Sequence, residues 1–162
     1  MKIKSFMTMM VAMAALVMGV SSCGDDDKDV PEAALATQVA GSYTGNEILI
    51  VMEEPEESTE TIEFTKATDV SVDVTLPAYG EGMMTIPALP VKGITLTKSG
   101  NTITGKLEEY KGSVKNAKGE EKIYTISKLT VIFSDKTVVM TFTMNYGNMP
   151  FAFEGQFTGT KK

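Results

Sequence analysis

The segment that decides the fold lies near the C-terminus and reads VVMTFTMNYGNMPFAFEGQFTGT, residues 138–160. In its first half, apolar and polar side chains alternate, which is the pattern of a β-strand with one buried face. Gly147-Asn148 interrupts the pattern and favours a two-residue hairpin turn, because glycine tolerates a positive φ. The alternation then resumes, so we predict a long antiparallel hairpin. The candidate residues for the interior of a barrel are Phe142, Met144, Phe151 and Phe153.

Upstream segments repeat this period of two. Apolar side chains alternate with polar ones over 62–76 and 94–107, and Ser99-Gly100-Asn101 favours a turn within the second range. The alternation changes phase at Ser127-Lys128, which predicts a β-bulge because a bulge adds one residue to a strand. Beyond residue 38 no segment shows the period of a helix. The chain is therefore predicted to be all-β, with roughly eight or nine antiparallel strands.

Sequential strands in this number either stack as a sandwich or close into a barrel. Glycines fall inside the strand patterns, where they weaken a strand unless it bends or is closely approached. Closing a barrel requires such bends. A barrel is therefore favoured over a sandwich in which the glycines mark edges and bulges. The glycines concerned are Gly93, Gly105, Gly155 and Gly159.

The chain has three glycine-rich motifs, which are Gly41-Ser42-Tyr43-Thr44-Gly45, Gly93-Ile94-Thr95-Leu96 and the closing segment from Phe153 to Lys161. They resemble the motifs of the calycin-like β-barrel lipoproteins of gut Bacteroidetes. The resemblance covers residues 39–162 and implies a calycin-like β-barrel domain. The first motif is also similar to the Gly-x-Trp that opens lipocalin barrels, where a C-terminal basic residue packs on the aromatic ring. Lys161 or Lys162 would take that position here.

The N-terminus has the features of an export signal. Lysines precede an uncharged apolar run over residues 6–20, which at about fifteen residues is shorter than the roughly 20 that cross a bilayer. The run ends in Val20-Ser21-Ser22-Cys23, which resembles the lipobox of bacterial lipoproteins. Residues 1–22 are therefore predicted to be a lipoprotein signal peptide, and Cys23 the site of lipid attachment. The alternative is an ordinary secretory peptide with a chance cysteine.

An acidic run follows the cysteine directly. Charged residues without apolar partners do not pack, so residues 23–38 are predicted to be an acidic, flexible tether with at most one helical turn. The run also resembles the signal that directs lipoproteins of Bacteroidetes to the outer face of the outer membrane. The residues of that signal are Asp25, Asp26, Asp27 and Asp29. An outer-membrane anchor that faces the periplasm is the alternative.

The amino-acid composition excludes several classes of function. The chain has 15 basic and 21 acidic residues, a net charge of −6, one cysteine and no histidine. Without histidine, the common nucleophile pairs and imidazole metal sites are excluded, and one cysteine forms neither a disulfide framework nor a thiolate cluster. An acidic chain without arginine is poorly suited to nucleic acid. We therefore predict no catalytic residue, no metal, no cofactor and no nucleic-acid partner.

Two segments are candidates for loops with a function. Residues 53–60 hold five glutamates, a composition that suits calcium or a glycosidase pair. Their spacing lacks the glycine and the alternating Asp or Asn of a calcium loop, so we interpret the segment as a solvated hairpin loop. The segment from Tyr79 to Met84 either caps the mouth of the barrel or tucks its methionines against the core.

The predicted function is that of a non-enzymatic lipoprotein of the outer membrane, anchored by its N-terminal lipid and facing the cell exterior. Its barrel is expected to bind a small apolar or amphipathic ligand, or to contact another envelope protein. The alternative is a structural or interaction module of the envelope with a solid, packed barrel. The volume of the barrel's cavity distinguishes the two.

Overall fold

Eight antiparallel strands close into a barrel in the computed structural model, which describes residues 33–162 except for the side chain of Met83. Each strand pairs with the next one in sequence, and the last pairs with the first. The strands are β1 (Gly41–Val51), β2 (Glu54–Thr68), β3 (Ser71–Leu76), β4 (Leu89–Ser99), β5 (Thr102–Lys115), β6 (Glu121–Ser134), β7 (Thr137–Tyr146) and β8 (Phe153–Lys161). A short helix, α1 (Leu35–Val39), precedes them, and a 3-10 turn (Gly82–Met84) lies between β3 and β4. The predicted all-β barrel is confirmed.

Alternation of side chains builds the core. Along β7 every second side chain from Val138 to Tyr146 is buried, and along β8 the same holds from Phe153 to Gly159. The inward rows of all eight strands meet in one hydrophobic cluster. Because Ala33–Lys162 is a compact unit with this core of its own, the barrel has the contacts it needs to fold as a unit.

The C-terminal hairpin differs from its prediction in register. β7 ends at Tyr146 and β8 begins at Phe153, so the predicted two-residue turn at Gly147-Asn148 is wrong and residues 147–152 form a longer connection. A two-residue turn there would pair Phe142 with Phe153, whereas the structure pairs Phe142 with Gly155. The difference is two residues, one full period of a strand, and the same side chains therefore still face inward.

The strand pairing is irregular at three places in the barrel wall, and two of them involve positions singled out in the sequence. The pairing of β6 with β7 is interrupted after Ser127, and Lys128 has a φ of 53° there, which confirms the predicted bulge. The pairing of β3 with β4 is interrupted at Asp73, opposite Gly93, whose φ is 76°. The backbone N–H of Gly93 donates to Oδ1 of Asp73 at 2.9 Å. Glycine suits this position because other residues rarely adopt such a φ.

The glutamate-rich segment belongs to a strand. β2 begins at Glu54 and pairs with β1 from its first residue, so the solvated loop predicted over 53–60 is wrong. The connection is only Met52-Glu53, and both residues have positive φ. Ahead of Ile62, β2 has no buried side chain, which leaves its sequence without the apolar alternation that marks the other strands.

Helix α1 covers one end of the barrel, which we call the plugged end. Ala36 and Val39 are buried there, and the N–H of Ala36 donates to the carbonyl oxygen of Asp69 at 3.1 Å. The hydroxyl of Tyr43 donates to the carbonyl oxygen of Val39 at 2.9 Å. Residues 35–38, which the sequence assigned to the tether, thus pack on the barrel. Within residues 33–162, no helix is long and apolar enough to cross a membrane.

A lysine from the C-terminus completes the plugged end. Nζ of Lys161 lies 5.8 Å from the centroid of the Tyr43 ring and donates to the carbonyl oxygen of Gln38 at 3.1 Å. Phe64 and Phe133 pack around the same tyrosine, with centroids 5.6 and 5.8 Å from its own. Lys161, and not Lys162, is therefore the basic residue that stacks on the aromatic ring of the first strand.

Candidate functional site

The end of the barrel opposite α1 is open, and we call it the mouth. Four connections surround it, formed by residues 52–53, 77–88, 116–120 and 147–152. On one side the wall has a gap, because β2 pairs with β1 from Glu54 onward whereas its pairing with β3 begins at Phe64. The 77–88 connection runs beside this gap. Tyr79 and Ile86 fasten it by exchanging backbone hydrogen bonds of 2.9 and 2.8 Å.

A cleft of about 570 Å³ lies between β2 and the 77–88 connection, and we call it the acidic cleft. Its lining contains four glutamates and no lysine. The residues used below are Leu49 of β1, Glu56, Ser58 and Glu60 of β2, and Tyr79 and Glu81 of the connection. Among residues 33–162, no three His, Cys, Asp or Glu side chains are arranged to hold a metal ion. The cleft therefore concentrates negative charge without forming a metal site.

The register of β1 and β2 explains why this charge faces the cleft. Directly paired residues of two antiparallel strands project to the same face. The pairs are Gly45 with Glu60, Glu47 with Ser58 and Leu49 with Glu56. Glu47 and Leu49 are buried on the inner face of β1. The three β2 side chains thus also project to the inner side, where the gap leaves them in contact with solvent.

Glu47 is the only buried charged residue in the described part of the chain, with 1% of its surface exposed. Its Oε1 accepts a hydrogen bond of 2.9 Å from the hydroxyl of Tyr79. Its Oε2 is also buried, and no described residue donates a hydrogen bond to it. An unpaired buried carboxylate oxygen is costly, because nothing replaces the water that it loses on folding. This oxygen is therefore a buried acceptor without a described donor.

The surroundings of Glu47 change its acidity. Burial raises the pKa of Glu47 to about 7; the hydrogen bond from Tyr79 opposes this rise and the charge of Glu60 adds to it. Burial, followed by the charge of Glu47, also raises the pKa of the Tyr79 hydroxyl. Tyr79 therefore stays protonated and acts as a donor. The carboxyl group of Glu47 changes its charge close to neutral pH.

A second cavity of about 150 Å³ adjoins the acidic cleft, and we call it the apolar pocket. It shares Leu49, Glu56, Tyr79 and Gly80 with the cleft. Its remaining walls are apolar and come from the 77–88 and 147–152 connections and the start of β8. They include Met84, Ile86, Met149, Phe151 and Phe153. The mouth therefore joins an apolar compartment to an acidic one, with Tyr79 at the junction and Glu47 buried behind Tyr79.

The interior candidates named from the sequence occupy different places. Met144 and Phe153 are buried in the core, and Phe151 is half-buried against it. The rings of Phe151 and Phe153 lie 5.4 Å apart between centroids, and both line the apolar pocket. Phe142 is buried as well, but its ring packs over Gly155 in the wall of the barrel. Two of the four candidates therefore reach the mouth.

The remaining predictions divide between the mouth and the N-terminus. The segment from Tyr79 to Met84 lies at the mouth, where Tyr79 contributes to both cavities and Met84 is 65% exposed at the rim. A lid role for this segment stays a prediction. The predicted lipid site and export signal lie outside the described residues. They are Cys23, Asp25, Asp26, Asp27 and Asp29.

Glu47 was not among the candidates, and Tyr79 was named only as the first residue of a candidate loop; their contact was not predicted. Glu47 has a signal in the sequence, because it occupies the inward phase of β1 between Tyr43 and Leu49, where an apolar residue is expected. Tyr79 has none, since it reaches Glu47 from a connection that lies 32 residues further along the chain. Periodicity within one strand carries no information on such a contact.

Comparison with known proteins yields one structural likeness. No family model matches the chain, and no curated protein matches it. A crystal structure of a Bacteroides fragilis protein, described as a “putative outer membrane protein”, aligns with a TM-score of 0.61 and 18% sequence identity. The alignment covers 80% of this chain and 53% of the other, so the chain spans about half the length of that protein. At this identity the likeness shows that the two chains share a fold.

Proposed function

We propose that this protein is a lipid-anchored lipoprotein of the outer membrane, of the calycin-like β-barrel type, which binds a small amphipathic ligand at the mouth of its barrel and does no chemistry on it. The observation that carries the proposal is the junction of the apolar pocket with the acidic cleft. Binding sites for small molecules combine apolar walls with a few polar groups that fix orientation. The mouth has both.

The packing of the barrel interior indicates where a ligand can bind. Buried side chains such as Ile62, Val131 and Met140 occupy the middle of the barrel, and α1 covers the plugged end. Space for a ligand therefore lies at the mouth, where the gap beside β2 admits solvent. This arrangement combines the two alternatives raised by the sequence, since the barrel is packed along most of its length and hollow at one end.

The mouth is clear of both ends of the described chain. That part of the chain starts beside α1, and Lys161 near its other terminus contacts Gln38 at the same end. The mouth lies at the opposite end of the barrel.

A dye titration tests the ligand site. Residues 24–162, purified without the signal peptide, should bind the neutral apolar dye Nile red saturably at one site, with a blue shift of its emission. Phe151→Glu places a charge in the apolar pocket and should weaken binding about tenfold, since the new carboxylate loses solvation when the dye enters. Ile132→Glu is the matched control, because Ile132 is exposed on the outer face of β6.

Equal weakening in the two variants would show that the dye binds exposed apolar surface in general. Absence of saturable binding would contradict the ligand site and leave the packed structural module as the better description.

A further inference from the structure

We propose that residues 77–88 form a strap that covers the mouth while the carboxyl group of Glu47 is protonated and opens when this group loses its proton. Ligands then enter the mouth more readily as the pH rises. This inference rests on the proposed function, because it concerns access to the same ligand site. The strap is the 77–88 connection described above, which lines both the acidic cleft and the apolar pocket.

The first argument is the way in which the strap is attached to the barrel. The bridge between Tyr79 and Ile86 closes the strap on itself, since both residues belong to it. Among the described residues, one side-chain hydrogen bond joins the strap to a strand, from the hydroxyl of Tyr79 to Oε1 of Glu47 at 2.9 Å. Tyr79 and Ile86 add apolar contacts with the core. Little has to break, therefore, for the strap to open while the rest of the barrel stays folded.

The second argument is the burial of the carboxyl group to which the strap is attached. Glu47 is 1% exposed, and its Oε2 receives no hydrogen bond from a described residue. A neutral carboxyl group tolerates such burial far better than a carboxylate, which loses the water that solvates its charge. Glu47 lies behind Tyr79, so opening of the strap brings water to the carboxylate. Ionisation and opening therefore favour each other.

The third argument is the absence of a cation beside this carboxyl group. Tyr79 is the titratable group that the strap places against Glu47. On one neighbouring strand, Glu56 and Glu60 of β2 project to the face that Glu47 shares. On the other, Phe157 of β8 is the paired residue. The groups that face Glu47 from these elements are thus a tyrosine, two glutamates and an apolar ring, and none of them offsets a negative charge.

The balance of two effects decides the direction of the switch. The hydrogen bond from Tyr79 is strongest to an ionised carboxylate, and alone it would tighten the strap as the pH rises. Burial outweighs this bond, because the pKa of Glu47 rises to about 7 in spite of it. If opening restores the ordinary pKa of 4.5, the ratio of open to closed strap grows by up to about 300-fold as the pH rises from about 4.5 to above 7.

Thiol labelling tests the strap directly. Residues 24–162 contain no cysteine, so Ile86→Cys introduces a single thiol at a buried position of the strap. Its rate of reaction with N-ethylmaleimide reports opening. Ala78→Cys, at an exposed position of the same segment, corrects for the intrinsic pH dependence of the thiol. The ratio of the Ile86→Cys rate to the Ala78→Cys rate should rise at least about tenfold between about pH 5 and pH 8.

Three variants in the Ile86→Cys background link this rise to Glu47. Glu47→Gln should make the ratio independent of pH, because glutamine does not ionise. Glu63→Gln removes a charge from the outer side of β2 and should leave the rise unchanged. Tyr79→Phe removes the hydrogen bond that fastens the strap, so it should speed labelling at every pH.

A third cysteine separates opening of the strap from unfolding of the barrel. Val131 is buried in the middle of the barrel, so Val131→Cys is labelled only when the whole barrel unfolds. Ile86→Cys should be labelled at least about tenfold faster than Val131→Cys at every pH. Equal rates would mean that the strap opens only on global unfolding, and the inference would be wrong.

The strap and the ligand site can fail independently, because labelling requires no ligand. The rate at which the neutral dye Nile red enters the mouth should rise with pH in parallel with the labelling ratio. A ratio that stays constant, or one that still rises in Glu47→Gln, contradicts the inference and leaves the ligand site in place. Entry of the dye at a rate independent of pH contradicts the control of access. If the ratio rises but Nile red does not bind, the strap stands and the proposed function fails.

Discussion

At the scale of single residues, Glu47 is a polar exception in the core of the barrel. A carboxyl group in the inward row of β1 replaces an apolar residue that would stabilise the core. The hydroxyl of Tyr79 donates a hydrogen bond to one oxygen of Glu47, and no described residue donates one to the other oxygen. Functional sites commonly depart from the local rules that the rest of a fold obeys.

The first prediction concerns the pH dependence of folding. The pKa of Glu47 rises from an ordinary value of 4.5 to about 7 in the folded protein, so the folded state holds a proton that the unfolded chain releases in this window. Stability should therefore fall as the pH increases from about 4.5 to 7 and then level off. The contribution of Glu47 is about 3 kcal/mol by linkage.

Urea titrations of the wild type and of Glu47→Gln between about pH 4 and pH 8 measure this contribution. The variant should gain stability relative to the wild type as the pH rises, because the glutamine does not ionise. A stability difference that stays constant over the whole range would contradict the raised pKa. Glu63→Gln on the outer side of β2 serves as the control.

At the scale of elements, the β7–β8 hairpin shows which features a sequence can predict. Its inward rows follow from alternation and are correct, although the register is shifted by two residues. The turn was predicted from Gly147-Asn148, yet the N–H of Gly147 donates to the carbonyl oxygen of Ile123 in β6. A neighbouring strand therefore helps to determine how this hairpin closes, and the hairpin's own sequence holds no record of that contact.

The second prediction tests the phase of this hairpin. Phe142 is buried, so Phe142→Ala should cost about 3–5 kcal/mol through lost burial and the cavity left behind. Thr143 lies on the opposite face of β7, and Thr143→Ala should change the free energy of unfolding by about 0.5 kcal/mol or less. Denaturant titration compares the two. Equal losses would mean that the inward and outward rows are assigned incorrectly.

The third prediction concerns the close approach at Gly155. A Cβ at this position would overlap with Cζ of Phe142, so Gly155→Ala should destabilise the barrel by about 1–3 kcal/mol through overpacking. Phe142→Leu shortens the side chain that is in the way. The double variant should then lose less than the sum of the single losses, a coupling that a double-mutant cycle measures. Strictly additive losses would contradict the contact.

At the scale of the whole molecule, closure of the barrel was predictable and the gap in its wall was not. Alternation, a bulge and glycines within strands are local signals, and together they indicate eight or nine strands that bend. The part of β2 that borders the gap has Glu and Ser at its inward positions, because this part faces the acidic cleft instead of the core. Without buried residues it looks like a loop in the sequence.

The fourth prediction concerns the anchor. Cys23→Ala should abolish labelling of the protein by palmitate and release it from membranes, because no other thiol is present in the chain. Replacing the four aspartates that follow should leave the protein lipidated but protected from external protease on intact cells. They are Asp25, Asp26, Asp27 and Asp29. Persistent labelling of the cysteine variant would contradict the lipid site. Equal protease access in the aspartate variant and the wild type would mean that the acidic run is only a linker.

The gap beside β2 also affects how copies of the protein meet each other. Ahead of Phe64, the backbone of β2 on the side of the gap is a free sheet edge of the kind that recruits strands from other molecules and starts aggregation. Glu54, Glu56, Glu57 and Glu60 project from this stretch, so a second copy added antiparallel would bring like charges together. The same glutamates that make the cleft acidic thus keep the molecules apart. Acid or an excess of divalent cations would remove this protection, and self-association would then start at β2.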